Sequence, residues 1–240
     1  MSFLEFKKCF EEYLEKLNLE LKDEQYQKFY NYMNLLIEWN KKINLTAITS
    51  EKEIIIKHFV DSLTILKYIP QEANIIDVGT GAGFPGIPLK IVKDDIKITL
   101  LDSLNKRIKF LDDVINKIEL KNIRAIHGRA EEYAHNKEYR EKFDIATSRA
   151  VANMSTLSEY LLPFVKIDGM VVAMKGSEIN DEINKCKKAI NVLGGNLIKI
   201  DNFNLPNSDY ERNIILIKKE KNTIKKFPRK AGMPSKEPIV

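Results

Sequence analysis

The apolar run Ile75-Ile76-Asp77-Val78 passes without a spacer into Gly79-Thr80-Gly81-Ala82-Gly83-Phe84-Pro85-Gly86, and this constrains the chain more than any other feature. Glycines this dense after a strand allow a sharp turn and let a ligand approach the backbone without Cβ clashes. The helix expected to follow turns its N-terminal N–H groups toward that turn, which favours negative charge there. Other short apolar runs fall at 96–101, 123–127, 143–147, 169–174, 196–203 and 212–218. Helical stretches separate most of them, including Asn105–Ile118 with Ile108, Leu111, Ile115 and Ile118 on one face. This alternation predicts a mostly parallel sheet, seven-stranded counting from 74–78, with helices on both faces. Only the turn-rich NLPNSDYE joins the last two runs, so they are expected to pair antiparallel at the sheet edge.

Residues 1–70 read differently, as a helical extension. Phe3, Phe6, Phe10, Tyr13, Leu14 and Leu17 follow helical spacing, as do Tyr26, Phe29, Tyr30, Met33, Leu36 and Ile37. Ser50-x-x-Glu53 reads as a capping box opening a third helix through Ile56, Val60 and Leu63, and Pro70 closes the block. The expected organisation is therefore an extension over 1–70, an α/β domain over 71–220 and a basic tail over 221–240 packed on the same unit.

Charge is unevenly placed. The net charge is +5, yet residues 218–240 hold eight Lys/Arg and two Glu, a local +6 that leaves −1 on the remainder. A basic end on a near-neutral body points to an anionic contact, a solvated tail being the plainer alternative. The two cysteines, Cys9 and Cys186, give neither a disulfide framework nor zinc spacing, and a reducing cytoplasm is expected. The amphipathic start is unlike a leader, no apolar stretch approaches a membrane span, and a soluble chain without metal is expected.

Two cofactor classes use a glycine turn after a strand. A dinucleotide loop wants its third glycine where Phe84 stands. The series from Asp77, D-x-G-x-G-x-G, resembles instead motif I of S-adenosylmethionine methyltransferases. Asp102, ending the second strand, is placed to take ribose hydroxyls, with an N-cap as its plain alternative. Thr147-Ser148-Arg149-Ala150 stands where amino-nitrogen methylation of adenine usually carries (Asp/Asn)-Pro-Pro-aromatic. Neither cysteine is placed as the nucleophile that pyrimidine carbon methylation needs. His58, His127 and His135 lie in unlike contexts. The absence of base and nucleophile motifs is consistent with guanine N7, which carries a lone pair and no proton to remove.

With the glycine loop, Gly128-Arg129-Ala130-Glu131-Glu132, Ser148-Arg149-Ala150 and Lys175-Gly176, the chain resembles the bacterial 16S ribosomal RNA methyltransferase G family over nearly its whole length. Trp39-Asn40, Asn44-Leu45-Thr46-Ala47-Ile48, His58-Phe59-Val60-Asp61-Ser62-Leu63 and Pro228-Arg229-Lys230-Ala231-Gly232 extend the likeness, whereas Met233-Pro234-Ser235-Lys236 departs from it. The resemblance implies a class I, Rossmann-like methyltransferase fold. It also implies S-adenosylmethionine as cofactor, N7 methylation of a guanine in 16S ribosomal RNA of the small subunit, and a cytoplasmic location. Gly79, Phe84, Ala130, Glu131 and Arg149 would touch the cofactor, with Gly81 in the same loop and Asp102 added from its strand position. Asn44, His58, Asp61, Arg149, Lys175, Arg212 and the Pro228–Gly232 segment, including Arg229 and Lys230, would line the RNA side. Arg149, Lys175 and His58 are the candidates nearest the chemistry, and no general base is expected.

Two rival readings remain at this level, an NAD-type oxidoreductase on a related fold and a non-catalytic RNA-binding assembly factor. A monomer is favoured. Removing residues 225–240 is expected to weaken RNA binding and leave cofactor binding intact.

Overall fold

The N-terminal block is built by apolar spacing. In the computed structural model, which describes residues 1–149, 152–177 and 179–239, helix α1 spans Phe3–Leu14 and α2 spans Asp23–Ile43. A capping box between Ser2 and Glu5 opens α1, which buries Phe6, Phe10, Tyr13 and Leu14. Helix α2 buries Tyr26, Phe29, Met33 and Leu36 as its spacing predicts. It also buries Tyr32, which that expectation omitted, while Tyr30 and Ile37 stay partly exposed. Tyr32 is drawn inward because its hydroxyl donates to the Ala82 carbonyl of the glycine loop and its ring stacks on Phe59.

The expected capping box at Ser50 does not form. Ser50 stands at the N-cap, but its side chain makes no capping bond, and the Glu53 carboxylate pairs with Lys57. Helix α3 begins at Glu51–Ile54, widens to a π-helical turn over Ile55–Val60 and regains α geometry at Asp61–Leu63. Such widened turns change the aim of the side chains they carry. His58 and Asp61 lie in and just beyond this one.

The strands are β1 (Asn74–Val78), β2 (Lys97–Asp102), β3 (Ile123–His127), β4 (Phe143–Arg149), β5 (Val165–Lys175), β6 (Gly195–Asn204) and β7 (Glu211–Lys219). They form one sheet in the order β3-β2-β1-β4-β5-β7-β6. The first five are parallel to one another, and β7 runs antiparallel between β5 and β6. The chain thus has the expected α/β fold of class I methyltransferases. β5 starts earlier than its apolar run because Val165 already pairs with Phe143. The order reverses between β1 and β4, which opens a crevice above the C-terminal strand ends.

Each face of the sheet carries its own core. On one face α1, α2 and α3 pack together with α4 (Gly86–Val92) and α5 (Asn105–Lys117) in a continuous apolar cluster. On the other lie α6 (Ala130–Tyr133), α7 (Met154–Leu161) and α8 (Asn180–Val192), together with Phe227 of the C-terminal segment. Arg140 holds that segment by donating to the carbonyls of Thr223 and Phe227, and the His135 Nε2–H donates to the Pro228 carbonyl at 2.7 Å.

Arg229 fastens it further. Its Nε and Nη2 donate to the two carboxylate oxygens of fully buried Glu159 at 3.0 and 2.7 Å. Both acid oxygens are thereby paired by one planar fork. Arg229→Met would strand that carboxylate and should cost about 3 kcal/mol in urea denaturation, at the low end for a broken buried pair. Lys230→Met, at an exposed neighbour, should change stability by less than about 0.5 kcal/mol.

Candidate active site

The crevice at the β1/β4 reversal encloses about 710 Å³. That is ample for a small-molecule ligand. Its wall over β1 and β2 is formed by Gly79, Thr80, Gly81, Ala82 and Phe84, together with Asp102, Ser103 and Arg107. Its wall over β4, β5 and β7 is formed by Arg149, Lys175 and Arg212, roofed by Thr46, His58 and Asp61 from the helical extension.

Asp77 shapes the first wall. Its Oδ2 accepts the Thr80 hydroxyl at 2.7 Å and the Gly86 N–H at 2.9 Å, tying both ends of the turn to one carboxylate. Gly79, Gly81 and Gly83 all take positive φ, where residues with a Cβ are strained. A Cβ on Gly81 would meet no protein atom within 4 Å, so the space beside it belongs to the cleft. Asp77 Oδ1 is buried with no partner among the described residues, and burial pushes this carboxyl up to about 6. The Asp102 carboxylate accepts the N–H groups of Gly81 and Leu104, each at 2.9 Å, and pairs with Arg107 at 3.1 Å. Asp102 therefore holds the loop as well as lining the cleft.

A smaller cavity of about 160 Å³ adjoins through Gly79, Asp102 and Ser103 and is walled by Gly128, Arg129, Ala130, Glu131 and Tyr160. The Glu131 carboxylate accepts the Gly232 N–H at 2.9 Å, and the Tyr160 and Ser235 hydroxyls are 3.0 Å apart. The tail thus braces two of the residues that wall this cavity. The expectation that removing residues 225–240 leaves cofactor binding intact did not foresee this contact between the tail and the Ala130–Glu131 loop. A glycine cradle, a carboxylate at the end of β2 and a side cavity beside it fit a nucleoside bearing an amino-acid arm.

On the second wall Arg149 gathers the roof. Its Nη1 donates to the Lys57 carbonyl at 3.0 Å and to Asp61 Oδ2 at 3.1 Å. Its Nη2 donates to His58 Nδ1 at 3.0 Å, and its guanidinium lies 4.8 Å from the Phe84 ring centre. His58 stacks on Phe84 with ring centres 4.4 Å apart. Arg212 Nε donates to Asp61 Oδ1 at 3.0 Å, so one buried carboxylate joins two guanidinium groups. Burial first, and the Arg149 charge second, hold His58 down to about 3 from its ordinary 6.5. Lys175 pairs with Glu182 at 2.8 Å and donates to the Ala152 carbonyl at 2.9 Å.

The structure therefore brings Gly79, Gly81, Phe84, Asp102, Arg149, His58, Lys175 and Arg212 to one cleft, and Ala130 and Glu131 to its side cavity. Asn44, Arg229 and Lys230 line neither. Asn44 is exposed and ends α2 in the left-handed conformation, turning the chain so that Thr46 reaches the cleft. The Arg229 fork, expected to grip phosphate, is committed to Glu159, leaving exposed Lys230 to present its charge. Ala150, the last residue of the Ser148-Arg149-Ala150 motif, lies outside the described residues. Sequence reasoning gave no individual part to Thr46, Arg107 or Tyr160. Thr46 sat inside a quoted motif, while the other two carried no signal. Among the described residues no His/Cys/Asp/Glu group could hold a metal, and no helix is long and apolar enough to cross a membrane.

Comparison with known proteins gives one consistent result. The family model for rRNA small subunit methyltransferase G matches residues 25–215. A ribosomal RNA small subunit methyltransferase G from Clostridium novyi is 51% identical over 94% of this chain and 94% of its own length. One from Desulforamulus reducens is 53% identical over 93% and 94%. Among solved structures, M. jannaschii TYW2 in complex with AdoMet superposes with a TM-score of 0.54 at 15% identity, covering 67% of this chain and 76% of that one. The YcgJ protein of Bacillus subtilis superposes at 0.53 and 14% identity, covering 69% and 100%. At such identities these two report the fold alone.

Two measurements test this geometry. Removing residues 225–240 takes away the partners of Glu131 and Glu159, and calorimetry with S-adenosylhomocysteine should show affinity weakened several-fold. The second concerns pH. The folded value of His58 lies below its unfolded one, so the unfolded chain takes up that proton first, and stability drains as pH falls from 6.5 toward about 3. Asp77, raised from 3.8 to about 6, works in the opposite sense: the folded chain takes its proton first, and acid relieves its burial. His58→Gln removes the first contribution and keeps the second. Between about pH 7.5 and about pH 5 its urea midpoint should therefore fall less than that of the unaltered protein.

Proposed function

This chain belongs to the rRNA small subunit methyltransferase G family, and from that premise we propose that it methylates N7 of a guanine in 16S ribosomal RNA. The family is S-adenosylmethionine-dependent, which removes the NAD-type and non-catalytic readings. Bound over the glycine loop, the cofactor supplies a methyl group on a sulfonium for attack by a lone pair. The Gly79–Gly83 turn and Asp102 would hold its amino-acid arm and ribose, and Ala130 and Glu131 would border its base. Arg149, with its fork anchored in α3, would face the junction between cofactor and target.

One observation carries the choice of N7. Both ring nitrogens of His58, the single histidine in the cleft, are committed: Nδ1 accepts from Arg149 and Nε2 bonds Thr46 Oγ1 at 3.0 Å. No lone pair of the ring is left to take a proton. An acceptor such as guanine N7 has none to give, so transfer requires alignment rather than a base. The site's cations are arranged for RNA in the same spirit. Asp61 neutralises one of two guanidinium groups, leaving a net positive wall at Arg149 and Arg212 for phosphate. Exposed Lys225, Lys226 and Lys230 would add diffuse attraction from the tail, and the activity belongs in the cytoplasm, where small subunits are made.

Mass spectrometry of 16S ribosomal RNA digests from cells with and without this protein tests the reading. The expected result is loss of one N7-methylguanosine when the protein is absent. Unchanged N7-methylguanosine in the deleted strain would overturn it.

A further inference from the structure

We propose that the Thr46 hydroxyl donates to O6 of the target guanine and thereby discriminates guanine from adenine, an assignment that rests on the N7 reading above. The argument begins at Arg149. A guanidinium can only donate, so His58 Nδ1, 3.0 Å from Arg149 Nη2, must accept. His58 is neutral, so its single proton sits on Nε2 and is donated to Thr46 Oγ1 at 3.0 Å. The Ile48 N–H donates to the same oxygen at 3.1 Å. Both lone pairs of the hydroxyl are then filled, and it can act only as a donor.

Among the described residues nothing accepts that hydrogen, and Thr46 lines the cleft. Its position is fixed on both sides of the residue: Asn40 Oδ1 accepts the Thr46 N–H at 2.8 Å, and Asn40 Nδ2 donates to the Thr46 carbonyl at 2.9 Å. An ordinary hydroxyl rotates to suit either a donor or an acceptor. This one has been made one-directional by the Arg149–His58 relay.

Guanine meets that constraint at the edge where N7 lies, because N7 and O6 are both acceptors. Adenine presents N7 beside an amino group, which would set donor against donor. A site built to pair a substrate acceptor rejects an analogue lacking it far more strongly than an apolar pocket rejects a size change. The roof segment from the helical extension would therefore select the base, while the sheet presents the methyl donor.

The test uses the full-length protein and target RNA carrying guanine, 2-aminopurine or 7-deazaguanine at the methylated position. 2-Aminopurine keeps N7 and lacks O6. Unaltered protein should lose roughly 10- to 100-fold in kcat/KM on it. Thr46→Ala should lose a similar factor on guanine and almost nothing more on 2-aminopurine, while Thr46→Ser keeps the guanine rate. A structural role for Thr46 would make the two losses multiply, which overturns the assignment. S-adenosylhomocysteine affinity by calorimetry reports whether Thr46→Ala has kept its fold. Should it not, the unaltered protein decides alone: equal turnover of guanine and 2-aminopurine overturns the contact, and a 10-fold or greater loss supports it. Methylation of 7-deazaguanine would instead sink the N7 reading itself, so the two failures are told apart.

Discussion

The fork of Arg149 is the contact on which the arrangement of this molecule turns. It leaves the end of β4 and meets three groups of α3, the Lys57 carbonyl, His58 and Asp61, and it rests on Phe84 of the glycine loop. A guanidinium this deeply placed needs partners, because an unpaired buried charge is costly, and all three of these groups come from the helical extension. Satisfying it fixes the helical extension against the sheet at the point where the strand order reverses. Burial first, and this contact second, keep His58 neutral, and the contact sets its tautomer, through which the donor sense of Thr46 follows.

The other end of the cleft is governed by carboxylates. Asp77 closes the glycine turn, Asp102 accepts from its middle, and Glu131 takes the backbone N–H of Gly232 from the tail. Each uses a short side chain to satisfy N–H groups that a sharp turn or a chain end leaves without helical or strand partners. The two walls are thus braced by opposite ends of the chain. The N-terminal helices roof the wall over β4, β5 and β7, and the C-terminal segment braces Glu131 at the side cavity. Apolar packing makes this bracing stiff, since each brace grows from a core on its own face of the sheet.

Much of this was legible from residues alone. Strand runs at 74–78 and 123–127 are the observed strands to the residue: central β1 is buried almost throughout and reads as an apolar run, while edge strand β3 is only partly buried and is marked by Ile123, Ala125 and Ile126. The glycine loop showed its turn and its cofactor class. Less legible was anything that depends on which side chains meet. Arg229 looked like a free cation because a sequence displays charge but not its partner, and Glu159, 70 residues away, carried no mark of pairing. Ser50-x-x-Glu53 matched a local capping rule, yet Glu53 paired with Lys57 one turn on, and the helix took a widened turn that no periodicity reveals.

The sequence by itself determined the order of strands and helices, the place of the glycine turn, the family and the chemistry class. These follow from hydrophobic period and from residues whose backbone needs are local, as glycine's are. The tertiary structure alone decided that Tyr32 supports the loop, that the tail braces Glu131, and that His58 is neutral with its proton turned toward Thr46. Those outcomes depend on desolvation and on the direction of hydrogen bonds between segments far apart in the chain. Such quantities exist only once the groups have been buried together.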